Sequence, residues 1–201
     1  ASPAAAPAAE AGFGQGDELL IGFGDPMQVW DNAERDDLVA LDPSVPVRCA
    51  WSDDTTLACR PRDGRRFAAA TRYRVRVKAD LATQAGMRLP TLTLEAETAR
   101  PVARAWVAGW DVGVPLIDVS SEPGVDEAAL AAVLRLGVDG TVVDLPPLQR
   151  QPRRGAWDTD ARYRVALPAL DGGPRHLELS VEPGLRSSEG PLRGTQSGLL
   201  L

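Results

Sequence analysis

The segment formed by residues 72–78 constrains the fold most strongly, because basic and apolar side chains alternate along it. Tyr73, Val75 and Val77 take the odd positions, and arginine or lysine takes the even ones. A period of two is typical of a β-strand with one face on a core and the other in solvent. The segment therefore predicts a strand whose apolar side chains point inward.

Two short runs of β-forming residues, 47–50 and 56–60, precede this strand and flank small polar side chains at 52–55. Ser, Asp and Thr favour turns because they hydrogen-bond to nearby backbone, so the pattern predicts a hairpin. A loop over residues 53–55 fixes the register, since opposed positions in a hairpin sum to a constant. The predicted pairs are Val47 with Pro61, Cys49 with Cys59, Trp51 with Leu57 and Ser52 with Thr56.

Further strands and turns extend the pattern in both directions. Gly86 supplies a turn before residues 89–98, which alternate through Leu92 and Leu94. Upstream, residues 18–23 predict an opening strand that Asp25-Pro26 ends, because proline donates no ladder hydrogen bond. Short strands separated by turns are typical of a β-sandwich.

The strand pattern starts again after Arg100. Residues 114–123 end in an acidic residue and proline, as the opening strand does. Residues 162–165 repeat the Arg-Tyr-Arg-Val of residues 72–75, about 90 positions later. These echoes predict two modules that share one fold.

Other signals in the second half are local. Asp126 predicts the N-cap of one or two helical turns, and Asp139-Gly140 predicts a hairpin turn. Residues 176–181 predict a strand with His176 and Glu178 outward. Residues 145–155 predict an exposed loop, with binding of phosphate or of an acidic partner as the alternative. The basic side chains of this loop are Arg150, Arg153 and Arg154.

The 201 residues thus divide into three predicted parts: a disordered Ala-, Pro- and Gly-rich tether at 1–16, one β-sandwich at 17–104 and another at 105–201. Because the chain ends in three leucines, we expect the second sandwich to be cut at its last strand, in a longer parent. Hydrophobic residues make up 44% and charged residues 25%, which are ordinary values for a globular protein. A net charge of −6 argues against nucleic-acid binding, since phosphate recognition requires a basic surface.

Cys49 and Cys59 are the only cysteines, and they face each other in the predicted hairpin. This position favours a disulfide, with two small buried apolar side chains as the alternative. A metal site is disfavoured because two thiolates need two further ligands, and the sole histidine, His176, lies in the other module.

Three other groups of residues have a bland and a functional interpretation. Trp106 and Trp110 predict packing between the modules, with a ligand-stacking platform as the alternative. The acidic residues of the segment 30–37, which we expect to be a loop with at most one helical turn, predict a solvated face rather than a hard-cation site. Three glycines near the start suggest no phosphate loop, because no strand precedes them. The acidic residues of the segment 30–37 are Asp31, Glu34, Asp36 and Asp37, and the three glycines are Gly12, Gly14 and Gly16.

One protein family shows the same succession of motifs. Its Trp-x-Asp-x-x-x-Leu hairpin matches Trp51, Asp53 and Leu57, its Thr-x-Tyr-x-Val strand entry begins at Thr71, and its glycine turn falls at Gly86. Residues 21–27, with the sequence Ile-Gly-Phe-Gly-Asp-Pro-Met, match its opening strand. From about residue 19 to residue 99, the chain resembles the N-terminal immunoglobulin-like modules of bacterial alpha-2-macroglobulins, except that two cysteines replace ordinary strand residues.

The resemblance implies an all-β fold of two tandem immunoglobulin-like or macroglobulin-like sandwiches with short helical turns. It implies a non-catalytic N-terminal scaffold of a periplasmic protease trap, tethered as a lipoprotein through an anchor outside these residues. The expected partners are the remaining domains of the parent and, through the parent, target proteases. No cofactor or metal is expected.

Two other function classes compete with this interpretation. A generic exported adhesion or carbohydrate-binding module would place Trp106, Trp110 and Trp157 toward solvent. An enzyme is disfavoured, because the chain has one histidine and no nucleophile beside a base.

Overall fold

The structure of this chain is a computed structural model, and it describes residues 8–14, 17–29, 33–78, 81–111, 113–122, 124–152, 161–167 and 176–201. The described residues are mostly strand, with one short helix, which confirms the predicted all-β class. The chain divides into two compact units, Ala1–Ala68 with Arg72–Thr98 and Ala69–Thr71 with Ala99–Leu201. The expected boundary after residue 104 falls inside a strand of the second unit, Val102–Asp111.

The strands described in the first unit form two antiparallel sheets. They are β1 (Ala9–Gly14), β2 (Glu18–Phe23), β3 (Val39–Asp42), β4 (Val47–Trp51), β5 (Thr56–Pro61), β6 (Arg72–Val77) and β7 (Leu92–Glu97). One sheet has the order β1-β2-β5-β4 and the other β3-β6-β7. Lettered A to G along the chain, these are the A-B-E-D and C-F-G sheets of a constant-type immunoglobulin sandwich.

One hydrophobic core lies between these sheets. Tyr73, Val75 and Val77 of β6 are each at most 1% exposed, and Leu19 and Ile21 of β2 are fully buried. The inward face predicted from the alternation of residues 72–78 is therefore confirmed. Complete burial of one such aliphatic side chain contributes about 1.5–3 kcal/mol.

The predicted hairpin is also confirmed. β4 and β5 pair with Cys49 opposite Cys59, Trp51 opposite Leu57 and Val47 opposite Pro61. Asp53 holds the turn, since its carboxylate accepts hydrogen bonds from the Thr55 backbone N–H and hydroxyl, both at 2.8 Å. These bonds lower the pKa of Asp53.

The connection between β5 and β6 is closed by a tyrosine. The hydroxyl of Tyr73 accepts a hydrogen bond from the backbone N–H of Ala68 at 2.9 Å. A tyrosine near the start of strand F that bonds back to the preceding corner is the tyrosine corner of immunoglobulin-type sandwiches. Burial raises the pKa of the Tyr73 hydroxyl, and the bond from Ala68 opposes that shift.

The prediction of a disordered tether over residues 1–16 is wrong for residues 9–14, which form β1 on the edge of the first sheet. Ala9, Ala11 and Phe13 pack against the core, and the Phe13 ring lies 4.9 Å from the ring of Phe67. The composition hid this strand because Ala and Gly are poor strand formers and only one residue is large. Residues 1–7 and 15–16 lie outside the described residues.

No helical turn occurs in the described residues of the segment 30–37, of which 30–32 are not described. Arg35 instead forms a bridge to the edge strand β4, exchanging two backbone hydrogen bonds of 2.8 Å with Cys49. The strand β3 that follows was not predicted, because its four residues are too short to show a period.

The second unit also contains two antiparallel sheets. Its described elements are β8 (Val102–Asp111), β9 (Val114–Glu122), α1 (Glu127–Val133), β10 (Leu134–Val138), β11 (Thr141–Val143), β12 (Leu148–Arg150), β13 (Ala161–Val165), β14 (Leu177–Val181) and β15 (Gly198–Leu199). The sheet orders are β8-β9-β13-β12 and β11-β10-β14-β15. Lettered in chain order with β11 as C′, they are A-B-E-D and C′-C-F-G, again an immunoglobulin-type arrangement.

Three local predictions in this unit are confirmed. Asp126 caps α1, since its carboxylate accepts a hydrogen bond from the Ala129 N–H at 2.7 Å. Asp139 and Gly140, with φ of 49° and 78°, turn the chain between β10 and β11. Leu179 and Val181 are buried, whereas His176 and Glu178 are exposed.

Other expectations for the second unit need correction. The segment around Trp106 and Trp110, which were expected to pack between the modules, lies in the ten-residue strand β8. The expected loop at residues 145–155 contains β12, because Leu148 is buried in the core and pairs with Val165. Of the three C-terminal leucines, expected to belong to a last strand that is cut, only Leu199 lies in a strand, the two-residue β15, while Leu200 and Leu201 pack on the core.

The repeated Arg-Tyr-Arg-Val sequence does not mark equivalent strands. In the first unit it lies in β6, the sixth strand of the sandwich, between β3 and β7. In the second unit it lies in β13, between β12 and β9. β13 is the E strand of the A-B-E-D sheet, whereas β6 is the F strand of the C-F-G sheet. The acidic residues that echo each other, Asp25 and Glu122, do lie at the ends of corresponding strands, β2 and β9.

Candidate functional site

Cys49 and Cys59 form a disulfide between adjacent strands, as predicted. Both residues are at most 1% exposed, and their Cα atoms are 4.0 Å apart. Because the two cysteines already face each other in the ladder, the bond fixes the register of β4 against β5. Its buried position and structural surroundings indicate a stabilising role.

The acidic cluster of the first unit is neutralised by arginines. Arg48 binds Glu34 at 3.0 Å and Asp36 at 3.2 Å, and Arg62 binds the other oxygen of Asp36 at 2.7 Å. These bonds raise the pKa of Arg48, the bond to Asp36 most strongly. The predicted solvated face is thus a network of surface ion pairs.

The remaining members of that cluster are Asp37, which binds Arg35 at 3.0 Å, and Asp31, which lies outside the described residues. The bond to Arg35 lowers the pKa of the Asp37 carboxyl. Among the described residues, no group of three or more His, Cys, Asp or Glu side chains is placed to hold a metal ion.

A cavity of about 390 Å³ opens on the outer face of the first unit. Ala50 and Ala58, which lie opposite each other on β4 and β5, are among its lining residues, and charged side chains such as Arg48, Arg60 and Glu18 surround them. Arg60 binds Glu18 at 3.1 Å, so the walls carry paired charges of both signs. This lining, which also includes Ser52, offers polar and charged contacts.

A second cavity, of about 710 Å³, lies between α1 and the chain that follows β14. Its polar lining includes Asp126, Arg186, Ser187, Ser188 and Arg193. Asp126 is committed to the helix cap, and the Ser188 hydroxyl donates to the carbonyl of Gly124 at 2.9 Å. These two side chains therefore stabilise the local backbone around α1.

The two tryptophans of β8 point to opposite faces of the β8–β9 hairpin. Trp106 lies opposite Asp118, and Trp110 lies opposite Pro115, three positions away on β9. A bulge at Ala108 causes this, because the register passes from Val107 directly to Gly109. The two rings therefore share no stacking platform.

The surroundings of the two rings differ as well. Trp106 is partly buried, whereas Trp110 is 69% exposed. Packing between the modules stays a prediction for Trp106. It stays a prediction for Trp110 as well. Trp157 lies outside the described residues, as do Arg153 and Arg154.

A buried ion pair on the same sheet was missed by the sequence analysis. The carboxylate of Asp118 is 1% exposed and accepts two hydrogen bonds from Arg164, from Nε at 2.8 Å and from a terminal nitrogen at 3.3 Å. This contact raises the pKa of Arg164. The only signal in the sequence was an acidic residue within an apolar strand, because the partners are 46 residues apart.

His176 lies on the surface at the start of β14. Its Nε2 is 2.8 Å from the Glu178 carboxylate, and both side chains are largely exposed. The outward orientation predicted for both side chains is therefore confirmed.

No family model matches this chain, and no curated protein matches it. Within the described residues, no helix has the length and apolarity to cross a membrane.

Proposed function

We propose that this chain is a non-catalytic scaffold of two immunoglobulin-like modules. The observation that carries the proposal is the strand order, A-B-E-D facing C-F-G or C′-C-F-G in both units. Both sandwiches are locked internally, the first by the Cys49–Cys59 disulfide and the second by the buried pair of Asp118 with Arg164. Rigid modules of this kind act by holding and spacing other parts of a protein.

Within that class, we propose the N-terminal portion of a bacterial alpha-2-macroglobulin-like protease trap, located in the periplasm and lipid-anchored. The support is the resemblance carried by Trp51, Asp53, Leu57 and the strand entry at Thr71. The tyrosine corner adds a physical reason for part of that motif, because Tyr73 closes the connection that precedes strand F. The partners would be the later domains of the parent chain and the proteases it captures.

The isolated chain should leave proteases active, because it would supply walls of the trap and no bait. Incubation with trypsin-type and elastase-type proteases, followed by an assay on a large protein substrate, should show unchanged activity. Stoichiometric inhibition would contradict the scaffold role. The coding sequence beyond Leu201 gives a separate test, since a trap requires a bait region and many further domains there.

One observation favours a second candidate, an exported adhesion or carbohydrate-binding module. Trp110 is 69% exposed, and exposed aromatic rings stack on sugars. Retention of the chain on immobilised polysaccharides, lost in Trp110→Ala and kept in Val142→Ala, would support this candidate over the trap. Val142 is a suitable control because it is also an exposed apolar residue, on β11.

A further inference from the structure

The strand β8 is an open edge of its sheet within the described part of the chain, because β9 is the only described strand that pairs with it. One part of the edge is already occupied by a side chain. The Ala103 N–H donates to Gln196 Oε1 at 2.8 Å, and Gln196 Nε2 donates to the Ala103 carbonyl at 2.9 Å. The amide of Gln196 thus takes the place that a peptide group of a further strand would take.

The bond to Gln196 shows which residues turn their backbone toward the open edge. Antiparallel strands alternate between residues bonded to the partner strand and residues facing away from it. The backbone N–H and C=O of Ala103 point away from β9. Because this direction alternates along a strand, the same groups of Ala105, two positions later, also point to the open edge. Trp110 has the same phase, because it lies opposite Pro115 while Ala105 lies opposite Val119, four positions along β9.

The side chains along this edge are exposed and carry opposite charges at its two ends. Trp110 is 69% exposed, Val107 is 43% exposed and the Arg104 side chain is 73% exposed. Asp111, at the far end of β8, is exposed too. No hydrogen bond from the described residues reaches the backbone edge between Arg104 and Asp111 other than those of the β8–β9 ladder.

We propose that two copies of this chain associate by pairing β8 antiparallel with β8 of the partner, about a twofold axis. Ala105 lies opposite the partner's Trp110, and Arg104 lies opposite the partner's Asp111. Each pair occurs twice by symmetry. The two four-stranded sheets then become one continuous sheet, and the proposal does not depend on the scaffold role proposed above.

This register satisfies three independent requirements of the edge. Ala105 and Trp110 both present free backbone groups, so they form hydrogen-bonded pairs across the axis. Arg104 and Asp111 lie on the same face, because their partners on β9, Ser120 and Val114, are an even number of positions apart. Their opposite charges attract across the axis, which favours a second copy over an unrelated strand.

The side chains are complementary in size as well. The small methyl group of Ala105 leaves room for the indole of the partner's Trp110, which is otherwise exposed. The Gln196 clamp at Ala103 ends the free edge next to Arg104, so the paired segment uses all of it. The bulge at Ala108 is required, since without it Trp110 would have the wrong phase.

Sedimentation equilibrium on the full 201-residue chain tests the proposal. We expect a monomer–dimer equilibrium with a dissociation constant between about 1 μM and about 1 mM, the range that is typical of weak interfaces. Arg104→Asp and Asp111→Arg should each weaken dimerisation roughly tenfold, because each creates two like-charge contacts. The double variant should regain the affinity, since it restores both ion pairs in reversed order.

Arg88→Asp is the matched control, because Arg88 is exposed in the first unit and the substitution changes the net charge equally. It should dimerise like the unaltered chain. Trp110→Ala should weaken dimerisation, whereas Val142→Ala on the other exposed edge should not. A chain that stays monomeric at about 1 mM overturns the proposal. If the chain dimerises but the double variant Arg104→Asp with Asp111→Arg does not regain the affinity, the proposed register is wrong and the proposal is overturned.

Discussion

The two units build the same immunoglobulin-type strand order but place the same four residues, Arg-Tyr-Arg-Val, in different strands. In β6 the tyrosine is Tyr73, whose hydroxyl closes the corner by accepting from Ala68. In β13 it is Tyr163, which lies opposite Val119 and Arg150 in the middle of the other sheet. An alternating tetrapeptide therefore specifies a half-buried strand, while its position in the sandwich depends on the strands around it.

The units also differ in what locks them. The first has a disulfide and a cluster of the rings of Phe13, Phe67 and Tyr73. The second has no cysteine and uses the buried bond between Asp118 and Arg164. Substitutions that remove one lock should destabilise one unit only, and hydrogen exchange resolved by peptide can measure that.

The largest effect is expected from removing the disulfide with the double substitution Cys49→Ala and Cys59→Ala. The bond closes a loop with a sequence separation of 10, which corresponds to a loss of about 3 kcal/mol in the first unit. Exchange should accelerate in β4 and β5 and stay unchanged in β9 and β13. Equal acceleration in both units would show that their stabilities are coupled.

A somewhat smaller loss, about 2 kcal/mol, is expected in the second unit from Asp118→Ala. Removing one partner of a buried pair leaves the other charge uncompensated, but the Arg164 side chain is 30% exposed and water reduces the cost. The matched control is Glu122→Ala, whose ion pair with Arg104 is exposed and long, at 3.6 Å. Urea unfolding should give a clearly lower free energy of unfolding for Asp118→Ala than for Glu122→Ala. Similar losses of stability in the two variants would contradict the stabilising role of the buried Asp118.

The two tyrosines give the sharpest comparison. Tyr73→Phe removes the acceptor for the Ala68 N–H and should cost about 1 kcal/mol. Tyr163→Phe should cost less than half as much, since this tyrosine closes no corner. Thermal unfolding of both variants tests the difference, and equal losses would remove the distinction between the strands.

The smallest expected effect is a loss of stability at acidic pH, and it concerns the first unit. The folded-state pKa values of Asp37 and Asp53 are both lowered, by Arg35 and by Thr55 respectively. The two ionised carboxylates therefore stabilise the folded state at a pH above their ordinary pKa of 3.8, and this stabilisation is lost as the pH falls through the lowered pKa values. Carboxyl titration by NMR should find both values lowered, and Asp53→Asn should raise the exchange rate at the turn.

Local features of the sequence determined a large part of this fold. The register of β4 with β5, the inward face of β6, the cap at Asp126 and the Asp139-Gly140 turn were all predicted. Each depends on the period of side chains or on bonds between residues a few positions apart. The disulfide followed from the same local register, so this part of the candidate site was accessible as well.

Tertiary structure decided what depends on distant partners. The poorly β-forming segment Ala9–Gly14 became a strand because Phe13 packs on the first core. β8 became an open edge because none of the later strands that the structure describes pairs with it. The bulge at Ala108 sent Trp106 and Trp110 to opposite faces, which spacing along a regular strand does not reveal. Asp118 found Arg164 only across the assembled sheet. Such contacts depend on which strands become neighbours, and the period of a single strand carries no information about its neighbours.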